Sequence, residues 1–191
     1  LKSSCNKVIC AMNEIYGKPV GTQILFMLKK YNFNGSRLRY SKEESENYSP
    51  WTSRELDQVL LGLESFPPQI FPIAERDRRL LHFKRGYTRK RYSEGNTLAN
   101  AMIEVFDSWS KQPAHDMRMT IVHELGHVIA GEKDLDQSPE WLKASGWILK
   151  PGSKPNAKSY ENEYRLRNQE VPSKYAKTNP AEDLAESVVA Y

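Results

Sequence analysis

The sequence predicts an α+β fold, on three observations. Apolar residues recur at helical spacing through the first half of the chain. Two short β-like runs, 80–83 and 98–106, flank a basic loop in the middle. Two further helices with clear start and stop signals follow in the second half.

Taken in order, residues 5–16 and 20–31 read as helices separated by Gly17, Lys18 and Pro19. Residues 31–48 are polar and turn-rich, with Asn34-Gly35 as a turn signal. A helix is expected over 52–66. Thr52 and Glu55 have capping-box spacing, Leu56, Val59, Leu60 and Leu63 form an apolar stripe, and Pro67-Pro68 ends it. Beyond the two strands, 116–130 reads as a helix stopped by Gly131. The stretch 132–174 reads as irregular, with a short helix over 139–145. A last helix starts at Asn179. The chain is read as one domain, 1–191, with a mainly helical lobe over 1–92 packed on a catalytic lobe over 93–191 to frame a cleft.

Composition narrows the function classes. The 191 residues are 39% hydrophobic and 27% charged, which suits a folded chain rather than a disordered one. The longest apolar runs, 8–12 and 24–28, fall far short of the ~20 residues a membrane helix needs. The net charge of +4 is too mild to point to nucleic acid. It is concentrated in Arg76, Arg78, Arg79, Lys84, Arg85, Arg89, Lys90 and Arg91, opposed there by Asp77 alone. This run is either a solvated surface or a polyanion-binding one, with Phe83, Tyr87 and Tyr92 interleaved. Two cysteines, Cys5 and Cys10, exclude a cysteine zinc ribbon. They are either two buried thiols or one disulfide of an exported protein. The absence of an initiator Met at Leu1 reads as a trimmed start, and the helical stretch reaching Tyr191 as a parent chain that continues. A secreted or periplasmic protein is the resulting expectation.

Two of the four histidines fall in one pentapeptide, His123-Glu124-Leu125-Gly126-His127. On a helix, positions i and i+4 share a face one turn apart, so both imidazoles can reach one zinc ion at ~2.0–2.1 Å. Glu124 beside them can take a proton from an activated water. Ile121, Val122, Leu125, Val128 and Ile129 form the stripe that anchors this helix. Gly126 costs about 1 kcal/mol against Ala in mid-helix, which points to close approach of another backbone.

A catalytic zinc takes three protein ligands and keeps one position open. The H-x-x-G-x-x-H continuation fails, because Ala130 and Lys133 stand where Gly and His are needed. His115 lies about two turns before His123, and His82 has no supporting motif. A carboxylate is the better candidate. Asn179 can cap the last helix, with Pro180 at its first position. Glu182 and Glu186 then lie one turn apart on one face, beside an apolar side of Ala181, Leu184, Ala185 and Val188. Glu182 would complete the site, and Glu186 could accept a hydrogen bond from a ligating histidine. Spacing leaves a rival: Asn-x-x-Glu is itself a capping pattern, so Glu182 could simply cap. Glu161, Glu163 and Glu170 are further candidates, without an apolar stripe.

His-Glu-Leu-Gly-His, followed by Tyr175-x-x-Thr178-Asn179-x-x-Glu182-Asp183-x-Ala185-Glu186, resembles the gluzincin clan of zinc peptidases, and within it the lethal-factor-like catalytic domains. The match covers residues 120–131 and 175–191. The resemblance implies a zincin-like fold and one zinc ion per chain on His123, His127 and Glu182, with Glu124 as general base. It also implies Tyr175 as the hydroxyl facing the developing oxyanion and Glu186 behind the ligands. The chain departs from the thermolysin pattern, which has an aspartate where Glu186 stands. The implied activity is zinc-dependent hydrolysis of peptide bonds in a peptide or protein substrate. A zinc hydrolase of a non-protein amide, or a peptidase-like binding protein using its basic surface, are the alternatives. The run 98–106 is either an edge to which an extended peptide adds, nearest Asn100, Ala101 and Met102, or an interior strand.

Overall fold

The computed structural model describes residues 7–31, 33–34, 49–71, 81–85, 95–98, 102–153, 163–167 and 169–191. The chain divides into two compact units, Leu1–Ile121 and Val122–Tyr191. The division falls inside the histidine-bearing helix. The fold is α+β: helices α1 (Lys7–Tyr16), α2 (Val20–Tyr31), α3 (Ser53–Glu64), α4 (Asp107–Ser110), α5 (Ala114–Lys133), α6 (Pro139–Ser145) and α7 (Pro180–Ala190), with strands β1 (Phe33–Asn34), β2 (Leu81–Arg85), β3 (Gly95–Leu98), β4 (Met102–Val105), β5 (Trp147–Leu149) and β6 (Tyr164–Leu166).

In the first unit, α1 and α2 are separated at Gly17, whose φ of +76° a side chain would resist. Gln23 on α2 donates to Asp57 Oδ1 of α3 at 2.6 Å. The capping box of α3 is complete: Glu55 N–H donates to Thr52 Oγ1 at 3.3 Å, and Thr52 N–H to Glu55 Oε2 at 2.8 Å. Leu56, Val59 and Leu63, three of the four stripe residues, are buried with Ile24, Met27 and Trp109. Trp109 Nε1 donates to Met117 O at 2.8 Å, tying α4 to the start of α5.

The first sheet runs β1-β2-β4-β3. β2 pairs with β1 and β4 in parallel, and β3 pairs antiparallel with β4. The single strand expected over 98–106 is thus the end of one strand and the whole of another. Met102 pairs with His82 on one side and Leu98 on the other, so β4 is an interior strand and offers no free edge at Met102. Asn100 and Ala101 lie outside the described residues, as do Gly35, Cys5, Glu161 and most of the basic run, Arg76, Arg78, Arg79, Arg89, Lys90 and Arg91 among them. Cys10 is disulfide-bonded, and Cys5 is the one other cysteine in the sequence.

Two further expectations are corrected. Helix α5 does not stop at Gly131 but runs to Lys133, and the left-handed residue that follows is Asp134, with φ +50°. Gly131 keeps helical backbone, so its permissive φ is not used. The stretch 132–174 is also more regular than read. Beyond α6, whose bounds match expectation, β5 and β6 form an antiparallel pair with Trp147 opposite Leu166. Strands of three residues leave too short an alternation to register as a pattern.

Among the described residues, no helix is long and apolar enough to cross a membrane.

Candidate metal centre

The site lies wholly in the second unit and is built on α5 and α7. Val122, Leu125 and Val128 are buried and anchor α5, which leaves His123 and His127 one turn apart on a partly exposed face. Their side chains, with those of Glu182 and Glu186, are between 13% and 20% exposed. Helix α7 begins as its sequence demands. Asn179 is the extended cap residue, its Oδ1 accepts the Glu182 N–H at 2.9 Å, and Pro180 opens the helix.

The backbone of Glu182 is therefore capped, but its carboxylate serves elsewhere. Glu182 Oε2 lies 3.2 Å from His123 Nε2 and 3.2 Å from His127 Nε2, and the two imidazole nitrogens are 3.1 Å apart. Three donor atoms form a nearly equilateral triangle. A tetrahedral ion with bonds of ~2.0–2.1 Å spaces its ligands ~3.3–3.4 Å apart, so the triangle needs to open only slightly to fit one. Two imidazole nitrogens and a carboxylate oxygen are also a donor set that suits zinc and leaves a fourth position open. His123, His127 and Glu182 could hold a metal ion, and they are the one such group among the described residues. Glu163 and Glu170 are not part of it. His115 has its Nδ1 3.3 Å from Arg118 Nη2 instead.

A second carboxylate orients the first histidine. His123 Nδ1 is 2.8 Å from Glu186 Oε1, a contact in which the ring N–H donates and the carboxylate accepts. With one proton held on Nδ1, Nε2 presents its lone pair to the triangle once its own proton is displaced, the tautomer a ligand needs. Tyr175 approaches from the 3₁₀ turn Tyr175–Lys177. Its hydroxyl donates to Glu182 Oε1 at 3.1 Å, and its ring centroid is 5.8 Å from that of His123. Glu124 points away from solvent and is 6% exposed.

These contacts set the charge states. Burial favours neutral His123, but the Glu182 hydrogen bond and the charges of Glu124, Glu182 and Glu186 outweigh it, and the pKa is raised above 6.5. Burial also works against ionised Glu182, yet hydrogen bonds from His123 and His127 prevail and lower it to about 2. Tyr175 is pushed up to about 12, first by burial of the hydroxyl and then by Glu182. The residue as a whole stays 54% exposed.

Two tryptophans that sequence reasoning missed support α7 from the other side. Trp147 Nε1 donates to Asp183 Oδ2 at 2.9 Å, and Trp141 Nε1 donates to Pro180 O at 3.2 Å. Trp147 and Asp183 are buried, and burial raises the Asp183 pKa against the opposing effect of the Trp147 hydrogen bond. A buried indole N–H demands a partner, but nothing in residues 141–147 says which one.

Comparison of the chain with protein-family models, with curated proteins and with solved structures gives no match.

Proposed function

We propose that this chain is a single-zinc peptidase of gluzincin type with a zincin-like fold, hydrolysing peptide bonds in a peptide or protein substrate. The observation that carries the reading is the triangle of His123 Nε2, His127 Nε2 and Glu182 Oε2, with sides of 3.1–3.2 Å. A zinc ion held there supplies a Lewis acid and an activated water.

The chain's own residues do the rest. Glu124, between the two ligands in sequence, takes a proton as water attacks the carbonyl carbon and passes it to the leaving amine. Glu186 holds the His123 ring in its ligating tautomer. Tyr175, with its pKa near 12, keeps its proton at neutral pH and exchanges its Glu182 contact for the developing oxyanion. Oxyanion donors of this kind contribute ~2.7–4 kcal/mol in known cases. The disulfide at Cys10 supports an exported protein.

Metal analysis and cleavage of a peptide library test the reading together. One zinc per chain is expected, lost in His123→Ala and in Glu182→Ala. Cleavage is expected in the native chain and abolished in Glu124→Gln with zinc retained. A zinc-loaded chain that cleaves no library peptide would sink the peptidase assignment and favour hydrolysis of a non-protein amide or a binding role.

A further inference from the structure

We infer that Trp141 and Trp147 are positioning residues for Glu182, acting through the first turn of α7. The inference rests on the metal-site reading above and adds residues that no ligand motif contains.

The argument starts from tolerance. Side-chain tips on a helix lie ~5–6 Å from its axis, so a 10° rotation of α7 would move the Glu182 carboxylate by ~1 Å. Metal–ligand distances tolerate only ~0.2 Å. Something must therefore fix the rotation of α7, not merely its distance from α5. The Asn179 cap cannot, because it belongs to the same turn and moves with it. The contact of Gly126 with Ala185 sets how closely the helices approach. The contacts of Glu182 and Glu186 with the histidines restrain one side only.

The two indoles supply the opposite side. They grip Pro180 O and Asp183 Oδ2, which lie three residues apart and bracket Glu182. Both come from one short, locally braced segment. Ser138 caps α6 by accepting the Trp141 N–H at 3.1 Å, and Gln169 donates to Ala144 O at its other end at 2.9 Å. Gly146 then turns the chain with φ +77°, a position where an added Cβ would also collide with the Gln169 side chain. This reversal brings Trp147 back toward α7, six residues after Trp141. Arg167 N–H donates to Gly146 O at 3.0 Å, and pairing of β5 with β6 holds the segment.

The test is made on the full chain, loaded with Zn2+ and separately with Co2+. Zinc affinity is measured by chelator competition, the Co2+ visible spectrum reports ligand geometry, and a melt of the metal-free chain reports folding. Trp147→Phe and Trp141→Phe are expected to weaken zinc binding roughly 10–100-fold, the usual cost of losing a residue that orients a ligand, and to alter the Co2+ spectrum. Asp183→Asn keeps an acceptor for Trp147 and is expected to hold affinity within about threefold of the native chain. Unchanged affinity and an unchanged Co2+ spectrum in both tryptophan variants would overturn the proposal. If Trp147→Phe does not fold, the half-buried Trp141 decides alone, and native affinity in Trp141→Phe overturns it. A native chain that binds no zinc overturns the metal-site reading itself, a result distinct from tight binding that ignores both tryptophans.

Discussion

A Cβ added to Gly126 would lie 3.2 Å from the Cα of Ala185, so α5 and α7 meet at the turn that carries both histidines. The contact is to backbone, which cannot swing aside as a side-chain tip can. Gly126→Val should therefore destabilise the protein by about 1–3 kcal/mol, the range for overpacking, despite the better helix propensity of valine. Chemical denaturation measures this, and an unchanged midpoint would show that the helices separate freely.

Removal of the carboxylate behind His123 tests the role of that contact. Glu186→Ala should keep all three ligands yet weaken zinc binding roughly 10–100-fold, because His123 loses the acceptor that fixes its tautomer. Competition against a chelator at fixed pH gives the number. Native affinity in this variant would make the 2.8 Å contact incidental to ligation.

Acidity should separate the metal-free from the metal-bound chain. With its pKa raised, His123 stabilises the metal-free fold below the ordinary 6.5, and that contribution is lost as pH rises through the folded value. Glu182, lowered to about 2, contributes above its ordinary 4.5 and loses that contribution as pH falls toward 2. The pair thus favours the metal-free fold most between 4.5 and 6.5. Metal binding must displace the His123 proton, so zinc affinity should instead climb with pH through this window and beyond. Melting curves with and without zinc, run across pH 5–8, should diverge as pH rises. Parallel curves would refute the linkage.

Tyr175 offers a sharper distinction. Tyr175→Phe should lower kcat by roughly 100- to 1000-fold, as loss of an oxyanion donor does, with zinc content unchanged. A residue that merely props Glu182 through the 3.1 Å contact would show the reverse pattern, weaker zinc binding with kcat intact at saturating metal. Steady-state kinetics on a zinc-saturated enzyme separates the two.

Much of the fold was legible where neighbours in sequence are neighbours in space. Thr52 and Glu55 announce the start of α3 because a capping box closes within one turn. Asn179 and Pro180 likewise mark α7. Gly131 misled, because a glycine ends a helix only when its left-handed conformation is used, and Asp134 takes that role. β5 and β6 escaped notice because the stability of a three-residue strand lies in its partner, here some seventeen positions away, and not in its own alternation.

The sequence by itself determined the histidine pair, Glu124 between them and the helix that presents them, since four-residue spacing is a property of one helix. It also placed Glu182 and Glu186 on one face of another. Whether Glu182 capped or ligated was open, because both roles use the same Asn-x-x-Glu spacing. The tertiary structure docks α7 on α5 at Gly126, which carries the carboxylate across a separation of 55 residues to 3.2 Å from His127 Nε2, where it could hold a metal ion. The same docking joined Glu186 to His123 and set Trp141 and Trp147 behind the first turn. Such contacts depend on helix distance and rotation, which no local pattern encodes.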